Sequence, residues 1–149
     1  MNTVMPSLGN LLAEPHNAAF TQVAALCVRD GDAGADVLLV QTLRLRQWVI
    51  PKGWPMPGLS LAESAACEAW EEAGIRGNLH LEIVGYFTYS KIKKSGLPIR
   101  CRAHVFRIDV TSVADEFPEG GKRVRSWQPT DRAARMVRDP ELAAILRAL

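Results

Sequence analysis

Residues 53–75 read GWPMPGLSLAESAACEAWEEAGI. A loop rich in Gly and Pro comes first and a helix follows it. Ser60 with Glu63 three residues on forms a capping box, in which each side chain satisfies a free amide at the helix start. The body, LAESAACEAWEEA, is built from Ala and Glu, both strong helix formers. Gly74 stands where a helix commonly ends in a left-handed residue. The helix carries Glu68, Glu71 and Glu72. Positions 68 and 72 are one turn apart, with 71 beside them. Three like charges on one face repel one another. A helix tolerates this if the charges are solvated or if a cation binds between them. Carboxylate oxygens are the preferred ligands of Mg²⁺ and Mn²⁺. The stretch is therefore either a solvated acidic face or one wall of a metal site.

The flanking sequence decides what the helix belongs to. Residues 20–29 (FTQVAALCVR) and 36–42 (DVLLVQT) are apolar and β-rich, and DGDAGA between them is a turn, so they predict a hairpin. Residues 48–50 form a short third strand running into Pro51-Lys52-Gly53. After the helix, residues 79–89 and 100–111 read as long strands joined by a loop at 91–98. Residues 124–128 form a last short strand. Thr130 is the expected cap of a helix reaching about Val137, and residues 140–149 form a C-terminal helix. Residues 1–18, with Pro6 and Pro15, are expected to be a loosely held lead-in, and 19–149 a single domain. The order β-β-β-α-β-β-β-α predicts an α/β (α+β) fold, a mixed sheet with helices on its faces.

In that context residues 53–75 resemble the Nudix box, written G-x5-E-x7-R-E-U-x-E-E-x-G-U with U apolar. The matches are Gly53, Glu68, Ala69, Glu71, Glu72, Gly74 and Ile75, and Trp48 and Pro51-Lys52 fit the preceding strand. Two positions depart: Leu59 stands at the first box glutamate, with Glu63 a turn further on, and Cys67 stands at the box arginine. Within the Nudix family the chain is most similar to the diphosphoinositol polyphosphate and diadenosine polyphosphate hydrolases. VLLVQTLRLRQWVIPKG (37–53), IVGYFTYS (83–90) and GKRVRSWQPTDRA (121–133) carry that likeness.

The resemblance implies a Nudix-type mixed sheet sandwiched between helices. It also implies a Mg²⁺-dependent hydrolase, with Mn²⁺ as a substitute. The bond cleaved is a phosphoanhydride in a diphosphoinositol polyphosphate, a diadenosine polyphosphate or a related nucleoside diphosphate derivative. Glu68, Glu71, Glu72 and the Gly53 carbonyl become the metal ligands, and Glu72 and Glu71 the catalytic residues. Glu116 and Glu119 are alternatives for the general base. In the family the box arginine braces the glutamates, which a cysteine cannot do with a bidentate contact. The competing reading is a Nudix-fold module that binds a nucleotide or inositol polyphosphate with weak or no turnover. Cys67 itself reads as a thiol packed against the sheet.

A polyphosphate needs cations. Arg44, Arg46 and Lys52 flank the third strand. Lys91, Lys93 and Lys94 lie on the long loop, and Arg100 and Arg102 start the next strand. Lys122, Arg123 and Arg125 cluster before Trp127, and Arg125 is the one assigned to substrate. Tyr86, Phe87, Tyr89 and Trp54 are candidates for stacking, with a place in the core as the alternative. His16, His80 and His104 show no ligand spacing and no nearby acid partner, and His104 reads as a satisfied sheet residue.

Composition fits this picture. The net charge of +2 over 149 residues gives no case for nucleic acid as partner. Acid concentrates at 63–72, and base at 91–107 and 122–138. Three cysteines without CxxC spacing predict buried free thiols in a reducing, cytoplasmic setting. No apolar run reaches the roughly 18 residues a membrane span needs. The first residues lack the basic start and long apolar core of a signal peptide. The expected partner is a small polyphosphorylated molecule, and monomer and homodimer remain open.

Overall fold

The computed structural model describes residues 19–149. The lead-in expected at 1–18 and His16 lie outside the described residues. β1 (Phe20–Gly31) and β2 (Gly34–Gln41) form an antiparallel hairpin, followed by two-residue strands β3 (Trp48–Val49) and β4 (Lys52–Gly53). Helix α1 (Leu61–Ala73) leads directly into β5 (Ile75–Ile92), which pairs antiparallel with β6 (Pro98–Val113). β7 (Arg125–Pro129), α2 (Thr130–Met136) and α3 (Pro140–Arg147) close the chain.

The strand order is β3-β2-β1-β6-β5, with β4 pairing β1 and β7 pairing β2. β1 and β6 are parallel, and the other pairings are antiparallel, so the sheet is mixed as predicted. Residues 22–28 of β1 are buried without a break. An antiparallel strand with one wet face would alternate, so this central strand is covered on both faces. α1 packs against β1, β5 and β6. α2 packs against β2 and β7, and α3 against β5.

The local signals around α1 behave as their chemistry requires. The Glu63 amide donates to Ser60 Oγ at 3.1 Å, and the Ser60 amide donates to Glu63 Oε1 at 2.8 Å. Such a cap is worth about 1 kcal/mol. Gly74 ends the helix at φ 68°, where an L side chain is disfavoured. At the other end of the chain the cap differs from expectation. Thr130 is already the first residue of α2, and no side chain caps that helix.

β5 is longer than its apolar run, because Arg76 and Asn78 pair with β6 through their backbones although their side chains are exposed. His80 does have an acid partner: its Nε2 lies 2.7 Å from Asp109 Oδ2 across the β5–β6 ladder. His104 is not satisfied at both nitrogens. Its ring packs edge-on against Tyr86, and Nδ1 has no hydrogen-bond partner among the described residues. Cys27 and Cys101 are buried, and burial alone pushes the Cys27 thiol up to about 12, which makes it inert at neutral pH. Cys67 is only half-buried, so it is not the packed thiol expected. It sits on the flank of α1, where burial first and then Glu71, Glu68 and Glu63 raise its pKa.

Candidate active site

A cleft of about 910 Å³ opens where β4, α1, β5 and the 42–48 turn meet. Its position follows from two packing facts. β4 is anchored to buried β1 through the pairs Val23–Gly53 and Ala24–Lys52. α1 then returns beneath it, with Ala62, Ala65, Ala69 and Ala73 buried against the sheet. Small side chains let the helix approach closely. Glu68 and Glu72, one turn apart on the same side, are carried into the cleft and remain only 8% and 5% exposed.

A Cβ at residue 53 would collide with the Glu68 carboxylate, so only glycine leaves room for it there. Glu72 is held at both oxygens. The Lys52 amide donates to Oε1 at 3.3 Å, and Arg123 Nη2 lies 3.5 Å from Oε2. Burial, then the charges of Glu72 and Glu71, then a hydrogen bond that the protonated Glu68 carboxyl donates to Glu72, push the Glu68 carboxyl up to about 8. Glu72 is pushed up to about 7 by burial, with Arg123 opposing the shift most strongly. Two carboxyls this close cannot both ionise cheaply without a further positive charge between them.

That donor set fits a hard divalent cation. Mg²⁺ takes oxygen ligands and is commonly held by one or two carboxylates plus water and substrate phosphates. Among the described residues no three His, Cys, Asp or Glu side chains converge into a closed cage. Glu71 does not complete one with Glu68 and Glu72. It is half-buried, does not line the cleft, and reaches Glu68 only through its charge.

The expected cations divide sharply. Arg44, Lys52 and Lys91 line the cleft. Lys52 Nζ stands 4.3 Å above the Tyr89 ring, and burial pulls its ammonium down against the opposing pull of Glu72. Arg46 does not line the cleft. It takes a left-handed backbone (φ 54°) in the tight 42–47 turn and points to solvent. Lys93 and Lys94 sit in the hairpin turn closed by Lys93 N–H to Leu97 O at 3.0 Å, exposed and outside the cleft. Arg100 and Arg102 alternate with buried Cys101 and Ala103, so they leave from the opposite face. Arg125 is taken up structurally. Its Nη1 donates to Ala73 O at 2.8 Å and Ala114 O at 2.9 Å, tying the end of α1 to the loop after β6.

Other groups enter that the local sequence patterns left unassigned. Arg123, Arg138 and Asp139 line the cleft. Burial raises the Asp139 carboxyl, while Lys52 and Arg138 oppose the shift. Buried Gln22 pairs with half-buried Tyr89: the Tyr89 hydroxyl donates to Gln22 Oε1, and Gln22 Nε2 finds no partner among the described residues. Nothing short of the fold brings residues 22, 89, 123 and 139 to one place; basic clustering marked only the stretch around Arg123. Of the candidate aromatics, Phe87 is core, Tyr86 lies over His104, and Tyr89 and Trp54 line the cleft. Trp54 is exposed and packs edge-on to Phe20, 6.3 Å between centroids. Of the alternative bases, Glu116 is exposed, and Glu119 accepts from Arg123 Nε at 2.8 Å.

Comparison with known proteins adds to this geometry. The profile of the NUDIX domain matches residues 20–149. The chain is 29% identical over 117 residues to Nudix hydrolase 12, mitochondrial, of Arabidopsis thaliana, covering 72% of this chain and 57% of that protein. It is 29% identical over 119 residues to diphosphoinositol polyphosphate phosphohydrolase 2 of Rattus norvegicus, covering 78% and 62%. The aligned region thus spans less than two thirds of these relatives. Among solved structures, a C. elegans Ap4A hydrolase superposes with a TM-score of 0.60 at 21% identity, covering 87% of this chain and 95% of that one. A NUDIX hydrolase from Nitrosomonas europaea gives 0.63 at 19%, covering 87% of each. At such identities these two likenesses speak for the fold alone. No described helix is long and apolar enough to cross a membrane.

Proposed function

The chain belongs to the NUDIX domain family, and from that premise we propose that it is a Mg²⁺-dependent hydrolase of a phosphoanhydride bond in a polyphosphorylated small molecule. One observation carries the reading. The buried carboxyls of Glu68 and Glu72 meet beside Gly53 at the floor of a cleft whose walls bear Arg44, Lys52, Lys91 and Arg138. Paired buried carboxyls would be a liability in a chain with no cation to place between them.

In this reading Glu68 and Glu72 hold the metal, with the Gly53 carbonyl as a further ligand. The cation supplies charge neutralisation at the phosphates and activation of water. The chain's own residues do the rest. Lys52, Lys91, Arg44 and Arg138 grip phosphate oxygens, and Arg44 and Arg138 can do so with two parallel hydrogen bonds. Glu72, pinned through both oxygens, is the group placed to accept a proton at the cleft floor. Glu71 contributes charge behind Glu68. All of this is assigned to one domain, residues 19–149.

The rim bears on the substrate. Trp54, Met56, Pro57, Leu43 and Leu45 line the same cleft as the cations. Such an amphipathic site suits a polyphosphate that carries a planar apolar group better than one charged all round. A nucleoside polyphosphate is therefore favoured over a diphosphoinositol. The test is phosphate release from diadenosine polyphosphates, diphosphoinositols, nucleoside triphosphates and nucleotide sugars, each with Mg²⁺ and with chelator. Release that needs Mg²⁺ and is fastest on a nucleoside polyphosphate supports the reading. Tight binding of a substrate without release would point to the binding-module alternative.

A further inference from the structure

Helix α1 contains Glu63, Glu68, Glu71 and Glu72 and no basic residue. Glu63 lies in the first turn, where the helix dipole favours an anion. Glu71 and Glu72 lie in the last turn, beside carbonyls that already carry partial negative charge. That end of the helix needs cations, and α1 has none to give. Cys67, beside Glu68, offers only a half-buried thiol.

They come from the first residue of β7 and from the loop between β6 and β7. It is fastened along the end of α1 by its backbone: the Ala114 amide donates to Gly74 O and the Glu119 amide to Glu71 O, both at 2.9 Å. The Phe117 ring lies against Gly74, and the Arg125 guanidinium stands 4.6 Å above that ring while its Nη1 donates to Ala73 O. Arg123 goes to the carboxylates. Its Nε donates to Glu119 Oε1 at 2.8 Å, its Nη1 to Gln41 O at 3.1 Å, and its Nη2 faces Glu72 Oε2 at 3.5 Å. Its side chain is 13% exposed. A guanidinium engaged at all three nitrogens, by partners from β2, α1 and the loop, has one orientation open to it. It therefore transmits that orientation to Glu72. Since Lys52 N–H holds the other oxygen, the carboxylate is fixed between two donors and keeps lone pairs free toward the cleft.

We propose that Arg123 is the positioning residue of the site, a brace for Glu72 that reaches acidic helix α1 from the β6–β7 loop. It rests on the reading of Glu68 and Glu72 as a cation site. Its effect is on the carboxylate and only through that on the substrate. A direct grip on substrate phosphate is the competing role, because Arg123 also lines the cleft.

The test uses the full chain and three readouts: Mn²⁺ binding followed by paramagnetic resonance, steady-state phosphate release, and thermal melting. Arg123→Ala should weaken Mn²⁺ binding about tenfold and lower kcat by about tenfold to a hundredfold, the usual range for groups that orient a metal ligand. KM should change by less than about threefold, since the loss enters through the transition state. Arg123→Lys should fall between the two, because lysine is a point charge without the fork. If the alanine variant does not melt cooperatively, Arg123→Gln, whose amide nitrogen takes the place of Nε and keeps a neutral donor in reach of Glu119 Oε1, carries the same test. Wild-type Mn²⁺ affinity in Arg123→Ala overturns the proposal, as does a raised KM at unchanged kcat, which would make Arg123 a phosphate grip. A wild-type protein that binds no Mn²⁺ removes the cation site itself, and the brace with it.

Discussion

Two regions of this molecule are dense in charge of one sign, the end of helix α1 and the tip of the β5–β6 hairpin, and they are treated in opposite ways. On α1 the charge is buried. Glu68 and Glu72 lie under β4, one against the glycine that makes room for it and the other between an amide and a guanidinium. On the hairpin the charge is left in water. Lys93 and Lys94 sit in an exposed turn, and only Lys91, on the last part of β5, lines the cleft. Solvated charges cost nothing to keep and carry little information. Buried like charges cost stability, so their retention marks where a counter-charge must come. The difference supports placing the proposed chemistry on α1 and leaves the hairpin tip with weak attraction at a distance.

Glu72→Gln should break the comparison most severely. Loss of the proposed ligand and proton acceptor should cut phosphate release at least about a hundredfold, with the melting transition kept, as kinetics and calorimetry together would show. Gly53→Ala comes next. The new methyl meets only the far end of the Glu68 side chain, which can swing away, so the fold should survive. Turnover should fall about tenfold or more, because an ångström of displacement is expensive at a catalytic centre.

Smaller effects sharpen the contrast. Lys91→Ala should raise KM severalfold, roughly the loss of one phosphate contact, and the increase should shrink as salt rises. Lys93→Ala with Lys94→Ala should stay within about twofold on the same assay, as expected for solvated charges. Equal losses in the two variants would mean that the hairpin tip folds over the substrate. Cys67→Arg should leave turnover unchanged or raise it modestly, since Arg123 already holds Glu72 and the new guanidinium would join half-exposed Glu71. A folded Cys67→Arg protein with sharply lower turnover would show that the flank of α1 is tuned to the thiol.

The helix and its box were legible because every determinant is local. The capping box spans four residues, the αL glycine closes the last turn, and the 68-to-72 spacing is one turn of any α-helix. The mixed sheet was legible from apolar runs and turns. What lay beyond reading was which cations reach the acid. Basic residues are common on surfaces, and the sign of a residue says nothing about which way its strand faces. Arg100 and Arg102 were lost to alternation, Arg46 to a left-handed turn and Arg125 to the carbonyls ending α1.

By itself, then, the sequence determined the acidic helix, its boundaries and the family, since helical geometry converts spacing into direction without help from the rest of the chain. Only the tertiary structure decided that Glu68 and Glu72 are buried while Glu71 stands aside. It alone brought Gln22, Lys52, Tyr89, Arg123 and Asp139 to one cleft. These residues are separated by up to more than a hundred positions in the chain. Their meeting depends on parallel pairing of β1 with β6 and on the β6–β7 loop folding back over α1. Such contacts are set by the packing of whole layers, which no local spacing encodes.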